Sequence, residues 1–313
     1  MRNSAQAQAV LDTMKRTLAL VTAFMLSNLA PTFAETTNPP AAAVAQKPAK
    51  EETNGPTQAQ LDARAKELEK KLKGQGYTIL VEPPFVVIGD SPAKEVQRVT
   101  TGFLRSKVAL LEKEYFAKRP SRVLEVWLFK NRQTFFKGAK KFFNDDPGTP
   151  YGYYSPDANA LIMNASGLGT LSHELVHPYM EANFPDVPSW FNEGLASLYE
   201  QPSERKGRIV GLPNWRLPNL KKEIKDKSLP KLGKLLGTTR DEFYEADYDA
   251  YAYARYVVYY LQEQGKLQEF YKKFLADKKD LTGASALTAV LGEDLEAFEP
   301  KWRKWVLAIQ YKR

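Results

Sequence analysis

Both histidines of this 313-residue chain lie in one short stretch, GTLSHELVHPY at residues 169–179. His173 and His177 are four positions apart, and residues four apart lie on the same face of an α-helix, so both imidazoles can bind one metal ion. Glu174 follows the first histidine and would lie beside a water molecule on that metal, where it can accept a proton. This HExxH spacing therefore predicts a metal site with its own general base.

The residues around the motif favour a helix. Gly169 allows the chain to turn, and Thr170 can cap the helix start. Pro178 directly follows the second histidine; it removes a backbone donor and predicts a bend in the helix at His177. A metal-free helix with two surface histidines is the alternative interpretation. The apolar residues that recur at helical spacing are Leu171, Leu175, Val176 and Met180.

The third protein ligand of such a metal has to be a carboxylate. A catalytic zinc ion takes three protein ligands and a water, and the chain has no further histidine and no cysteine. Glu193 begins a second helix with apolar periodicity and is the predicted third ligand, with Asp186, in the loop between two prolines, as the alternative. Asn192 and Glu200 on the same helix can hydrogen-bond the ligands and orient them.

Two motifs of the chain, HELVH and WFNEGLA, resemble those of the gluzincin group of zinc metallopeptidases. The glutamate of the second motif follows the second histidine of the first by sixteen residues. The resemblance is in particular to the peptidase MA-like domains of exported bacterial proteins. It runs from about residue 85 to residue 305, and its specific motifs are confined to residues 152–261.

The resemblance implies an activity and a cofactor. One Zn²⁺ per chain would be held by His173, His177 and Glu193. The enzyme would hydrolyse peptide bonds in an exported protein or peptide substrate, with Glu174 activating the zinc-bound water. A non-catalytic, zinc-stabilised binding protein of the cell envelope on the same fold is the alternative function, because a fold alone does not establish an activity.

The resemblance also implies an oxyanion donor and a substrate-binding strand. Gluzincins of the aminopeptidase type have a tyrosine that opens a later helix and hydrogen-bonds the transition-state oxyanion; this position corresponds to Tyr251, with Tyr248 as the alternative. Residues 151–164 read as a β-hairpin with its turn at residues 156–159. The second strand of this hairpin is expected to be the sheet edge along which an extended peptide binds.

One further string, VGLPNWRLP beginning at residue 210, has adjacent Trp215 and Arg216. This composition is unusual, and one interpretation is that Trp215 lines the cleft. Packing in the hydrophobic core is the commoner role of a tryptophan and is the alternative.

The remaining pattern predicts an α+β fold. Strand and helix signals alternate before the motif, and helical signals predominate after residue 201. With the resemblance, this becomes a zincin-like fold: a small mixed sheet, the active-site helix and a mainly helical C-terminal subdomain. The predicted divisions are an amphipathic helix at residues 57–75 and a metallopeptidase domain at 76–313, with an α/β part at 76–200 and a helical part at 201–313.

The N-terminal residues have the pattern of a secretory signal. Lys15 and Arg16 precede an apolar run at residues 17–30, and a cleavage site follows Ala34. Because this run is shorter than the roughly 20 residues of a membrane-spanning helix, we predict cleavage after residues 1–34 and no stable membrane insertion. Met14 is an alternative start. Residues 35–56, rich in Ala, Pro and Thr, predict a disordered linker, and the protein is predicted to be exported, periplasmic or extracellular.

Composition limits the other classes of function. A hydrophobic content of 43% with 12% aromatic residues is sufficient for a globular core. The formal net charge is +8, but the basic residues are dispersed among acidic ones and no nucleic-acid-binding motif is present, so we predict no nucleic-acid partner. The expected partner is a peptide or protein substrate.

Overall fold

The computed structural model describes residues 55–165 and 167–311. The predicted signal peptide, residues 1–34, and nearly all of the predicted linker, residues 35–56, lie outside this description. No helix within the described ranges is both long and apolar enough to cross a membrane.

The centre of the fold is a mixed five-stranded sheet. In chain order its strands are β1 (Thr78–Glu82), β2 (Phe85–Gly89), β3 (Leu124–Phe129), β4 (Gly152–Ser155) and β5 (Ala160–Asn164). They are arranged in the order β1-β2-β3-β5-β4. The three central strands β2, β3 and β5 are parallel, and β1 and β4 pair antiparallel at the two edges. Because the central strands are buried, they are almost continuous apolar runs.

Helices cover both faces of this sheet. Those that precede β5 are α1 (Gln58–Lys71), α2 (Ala93–Arg98), α3 (Arg105–Glu114) and α4 (Arg132–Gly138). The π-helical segment Val99–Leu104 joins α2 to α3, and a second one, Ala139–Phe143, follows α4. After β5 the chain forms α5 (Leu168–Asn183) and α6 (Ser189–Leu198) and then a hairpin of β6 (Pro202–Arg205) and β7 (Arg208–Gly211). The remaining helices are α7 (Leu217–Lys225), α8 (Leu232–Leu236), α9 (Arg240–Tyr244), α10 (Ala250–Glu263), α11 (Leu267–Ala276), α12 (Ala284–Leu291) and α13 (Leu295–Ala308).

The pleat of the sheet divides the hydrophobic core in two, because successive side chains point to opposite faces. On one face Trp127 and Phe129 pack with Leu61 and Leu68 of α1. This amphipathic helix therefore lies on the sheet; it begins with a capping box at Thr57. On the other face the sheet packs against α5, α6 and the later helices.

The predicted α+β class, with a small mixed sheet and a mainly helical second half, is confirmed. Three local predictions are wrong. Helix α5 begins at Leu168 with Gly167 as its N-cap, so Thr170 lies inside it. Helix α6 begins at Ser189, so Glu193 lies inside it and does not begin it. In addition, the hairpin of β6 and β7 was not predicted. The sheet edge is β4 and not β5, because β5 is fully buried and pairs on both sides, whereas β4 is half-buried.

Candidate metal centre

Helices α5 and α6 bring the three predicted metal ligands together. His173 and His177 share one face of α5, and Pro178 lies within this helix without ending it. Glu193 Oε2 on α6 lies 3.2 Å from His173 Nε2 and 3.9 Å from His177 Nε2. One ligand atom from each residue falls within 4.8 Å of the other two.

These residues fit a zinc ion. Tetrahedral bonds of about 2.0–2.2 Å place neighbouring ligand atoms roughly 3.3–3.6 Å apart; the distance from Glu193 to His173 is close to this range, and that to His177 is slightly longer. Glu193 is only 5% exposed, and within the described part of the chain its Oε2 has no hydrogen-bond partner. A buried carboxylate oxygen that lacks a donor and faces two imidazole nitrogens is the arrangement that a divalent cation would satisfy.

The alternative third ligand, Asp186, is exposed in the loop between α5 and α6. The only group of His, Cys, Asp and Glu side chains within residues 55–165 and 167–311 that could hold a metal ion consists of His173, His177 and Glu193. Asp186 therefore does not belong to the cluster.

Two glycines allow the helices to approach closely enough to form this cluster. A Cβ atom on Gly169, in the first turn of α5, would lie 2.2 Å from the carbonyl oxygen of Glu200 after α6. Gly194 follows Glu193, and a Cβ there would lie 3.1 Å from the backbone of Ala254 on α10. A larger residue at Gly169 would therefore force α5 and the end of α6 apart.

The second nitrogen of each imidazole faces a polar group of α6 or of the residues just after it. Asn192 Oδ1 lies 3.1 Å from His177 Nδ1, a hydrogen bond that orients this ring. Glu200 Oε1 lies 3.6 Å from His173 Nδ1, just beyond hydrogen-bond length. Asn192 therefore makes the predicted contact with a histidine, whereas Glu200 lies just after α6 and approaches His173 without a hydrogen bond.

Glu200 is fixed by residues that sequence reasoning did not assign to the site. Arg216 donates to both of its carboxylate oxygens, at 2.9 and 2.7 Å, and Asn214 Nδ2 donates at 2.8 Å. Burial alone would raise the pKa of Glu200, but Arg216 and His173 lower it to about 2. The only sequence signal was the unusual Trp215–Arg216 pair. Trp215 itself is 58% exposed and stacks on the Arg216 guanidinium, so it neither lines the cleft nor packs in the core.

Glu174 projects into the same cleft beside the cluster. Its Oε2 lies 3.8 Å from His177 Nε2 and accepts a 3.0 Å hydrogen bond from the backbone N–H of Tyr154 on the edge strand β4. Burial raises the pKa of Glu174, while the neighbouring histidines oppose this shift. A carboxylate with a raised pKa is suited to proton transfer.

Tyr251 lies in the cleft, and Tyr248 does not. Tyr251 follows the first residue of α10 and packs its ring against Tyr244 and the Arg216 guanidinium. Among the residues that the structure describes, its hydroxyl has no hydrogen-bond partner. Tyr248 instead packs its ring against Tyr253. The hydroxyl of Tyr251 is therefore free to bind a ligand.

Tyr244 on the short helix α9 was missed by sequence reasoning. Its hydroxyl donates a 2.6 Å hydrogen bond to Glu193 Oε1, the oxygen that faces away from the histidines. No motif marks this residue, because the bond joins positions 51 residues apart. The cleft that Tyr244 and the cluster share has a volume of about 510 Å³, within the range of ligand-binding pockets.

Comparison with known proteins matches residues 167–281 to the family described as "Protein of unknown function (DUF1570)". The matched segment runs from the N-cap of α5 to just beyond α11, and so it includes every residue of the cluster as well as Tyr244 and Tyr251 of the cleft. A search of curated proteins found no match. The family description carries no activity, so the chemistry has to be argued from the site.

Proposed function

We propose that this protein is a zinc-dependent peptidase of the gluzincin type. The observation that carries the proposal is the convergence of His173, His177 and Glu193 around one buried, unsatisfied carboxylate oxygen, with Glu174 in the same cleft. The HExxH helix and the glutamate helix are the two elements through which the sequence resembles gluzincins. Zinc is the metal expected for two imidazoles and one carboxylate with a fourth position left open.

In the proposed reaction, different residues of the cleft perform different steps. A bound zinc ion would lower the pKa of a water molecule towards neutrality and polarise the scissile carbonyl. Glu174 accepts the proton of the attacking water and then delivers it to the leaving amine. The backbone N–H of Tyr154 holds the Glu174 carboxylate toward the cluster. Peptide-bond hydrolysis is the reaction class that follows.

Tyr251 is the proposed oxyanion donor. Its hydroxyl has no partner within the described residues, and its ring is held by Arg216 and Tyr244. Burial strongly raises the pKa of this phenol, with Glu193 adding to the effect, so the hydroxyl keeps its proton for donation. Hydrogen bonds of this kind are worth about 3 kcal/mol in the transition state.

The edge strand β4 is the proposed docking strand for the substrate. In an antiparallel pair, alternate residues direct their N–H and C=O groups to the partner strand and away from it. Tyr151, just before β4, accepts a backbone hydrogen bond from Asn164, the last residue of β5, so Gly152 and Tyr154 direct their backbone groups outward. Tyr154 N–H is used by Glu174; its carbonyl and the groups of Gly152 remain for an extended peptide.

The N-terminal signal pattern leads to a companion proposal on location. Residues 1–34 would direct export and be removed, and the protein would act in the periplasm or outside the cell on exported peptides or proteins. Detection of a mature N-terminus at Glu35 by mass spectrometry of the secreted or periplasmic fraction tests this point.

Metal content and proteolysis together test the proposed function. The purified protein, His173→Ala and Asp186→Ala are analysed for zinc by elemental analysis, and each is incubated with casein. We expect one zinc per chain and casein cleavage in the wild type and in Asp186→Ala, with both lost in His173→Ala. Zinc without cleavage of any peptide would favour the non-catalytic binding protein, and the absence of zinc would refute both functions.

A further inference from the structure

We propose that Arg240 binds a carboxylate group of the substrate, so that the preferred peptides carry an acidic side chain or a free C-terminus close to the scissile bond. This inference rests on the proposed function and specifies its substrate class. Arg240 is the first residue of α9 and lines the same cleft as His173, Glu174 and His177.

The guanidinium of Arg240 is close to the metal cluster. Its Cζ lies 5.4 Å from the ring centroid of Tyr244, whose hydroxyl is 2.6 Å from Glu193 Oε1. A single side chain therefore separates this positive charge from a metal ligand. Extended peptide rises roughly 3.3 Å per residue, so a carboxylate two or three residues from the scissile bond falls within reach of Arg240.

Arg240 is also free to bind. Its side chain forms no ion pair and no hydrogen bond with any other residue in the described part of the chain; Arg240 is exposed, and its guanidinium lies over the Tyr244 ring. Arg216, the other arginine beside the cleft, is fully engaged with Glu200 and is only 14% exposed. Of the lysines and arginines within residues 55–165 and 167–311, Arg240 is the one that lines the cleft.

The carboxylates of the cleft do not neutralise Arg240. Glu174 and Glu193 face the histidines, and Glu181 accepts a hydrogen bond from the Tyr154 hydroxyl on the β4 side. No ion pair joins any of them to Arg240. A guanidinium with open donors recognises a carboxylate through two parallel hydrogen bonds, which gives specificity as well as affinity.

Binding to the mature, zinc-loaded Glu174→Gln protein tests the inference without requiring turnover. The probes are fluorescent decapeptides, acetylated and amidated, in which Glu, Gln or Lys is scanned through every position, together with a Gln peptide that has a free C-terminus. We expect Glu at one position, or the free C-terminus, to bind about tenfold more tightly than the amidated Gln peptide. The first result identifies an acidic side chain as the ligand, and the second identifies the terminal carboxylate.

Variants of Arg240 distinguish recognition by this side chain from nonspecific attraction of acidic peptides by the positive net charge of the protein. Arg240→Gln should remove the preference, Arg240→Lys should retain part of it, and Arg240→Glu should reverse it in favour of Lys peptides. Arg132→Gln is the matched control, because Arg132 also opens a short helix with a capping box and lies 5.5 Å above an aromatic ring, that of Phe136. It should keep the full preference.

Two results would overturn the inference. One is equal affinity for Glu, Gln and free C-terminal peptides at every position; the other is a preference for acidic peptides that persists in Arg240→Gln. Neither result depends on catalysis. If the wild-type protein cleaves casein but shows either result, the peptidase stands and the Arg240 assignment fails; if no peptide is cleaved, the peptidase fails while the binding data still decide the role of Arg240.

Discussion

Tyr244 Oη lies 2.6 Å from Glu193 Oε1, and this contact leaves Glu193 Oε2 as the oxygen that faces both histidines. The tyrosine thus holds Oε1, so that Oε2 is the oxygen available to the proposed metal. It also donates a hydrogen bond to a buried carboxylate that would otherwise be costly. Tyr244 therefore positions Glu193, the proposed third metal ligand.

Tyr244→Phe should weaken zinc binding by about tenfold, because the loss of a partner that orients a ligand typically costs 10- to 100-fold in metal affinity. The measurement is competition with a chromophoric chelator at fixed pH. Tyr248→Phe is the control, because the hydroxyl of this tyrosine has no hydrogen-bond partner among the described residues and Tyr248 lies outside the cleft. Equal zinc affinity of Tyr244→Phe and wild type would refute the positioning role.

Arg216→Met should destabilise the protein and loosen His173. The variant leaves Glu200 buried without its main partner, and breaking such a pair costs about 3 kcal/mol in the free energy of unfolding. Arg216→Lys keeps the charge but loses the bidentate contact, so its free energy of unfolding should lie between those of wild type and Arg216→Met. Urea unfolding of the metal-free proteins measures the effect, and zinc affinity measures the loss at His173. If Arg216→Met had the wild-type free energy of unfolding and the wild-type zinc affinity, the proposed role of Arg216 in holding Glu200 and His173 would be refuted.

Tyr251→Phe should lower kcat about 100-fold with little change in KM, because the hydroxyl is proposed to act only in the transition state. Steady-state kinetics with a chromogenic or fluorogenic peptide provide the measurement. Tyr248→Phe should retain the wild-type kcat, which distinguishes the two tyrosines that the sequence left open. A normal kcat in Tyr251→Phe would require a different oxyanion donor.

We expect the hydrogen bonds that Asp280 accepts, outside the cleft, to be sensitive to acid. Burial alone would raise its pKa, but hydrogen bonds from Ser285 and Thr282 lower it to about 2. Because the folded-state pKa lies below the ordinary value of 3.8, this contribution to stability is present above about pH 4 and is lost as the pH falls towards 2. The carbonyl of Thr282 accepts the indole N–H of Trp190 on α6, so this loop supports the glutamate helix.

The lowered pKa of Asp280 leads to a prediction for the melting temperature of Asp280→Asn. Its melting temperature should be below that of wild type at pH 6, and the difference should shrink as the pH approaches 2. Thermal unfolding between pH 2 and pH 6 gives the measurement, with Asp186→Asn in the exposed loop as the control. A difference that grows on acidification would contradict the sign of the pKa shift.

Local spacing and composition were sufficient to predict that His173, His177 and Glu193 lie close enough together to hold a metal ion. The i, i+4 pair His173 and His177 defines one helix face, and the lack of any other histidine or cysteine left a carboxylate as third ligand. Tyr244 and Arg216 could not be predicted in the same way, because their contacts join residues 51 and 16 positions apart and depend on how helices pack. Strand β5, and not β4, was wrongly expected at the edge of the sheet. The unbroken apolar run of β5 in fact favours an internal strand.

The central claim is tested most directly by restoring zinc to metal-depleted protein and following peptide hydrolysis. The account predicts that one equivalent of zinc restores cleavage in wild type and in Glu204→Gln, an exposed control on β6. Glu174→Gln should bind the same single zinc ion but remain at least about 100-fold slower, since a positioned general base contributes roughly 10²–10⁴ to the rate. Cleavage by the zinc-loaded Glu174→Gln at the wild-type rate, or cleavage by wild type that does not depend on zinc, would contradict the account.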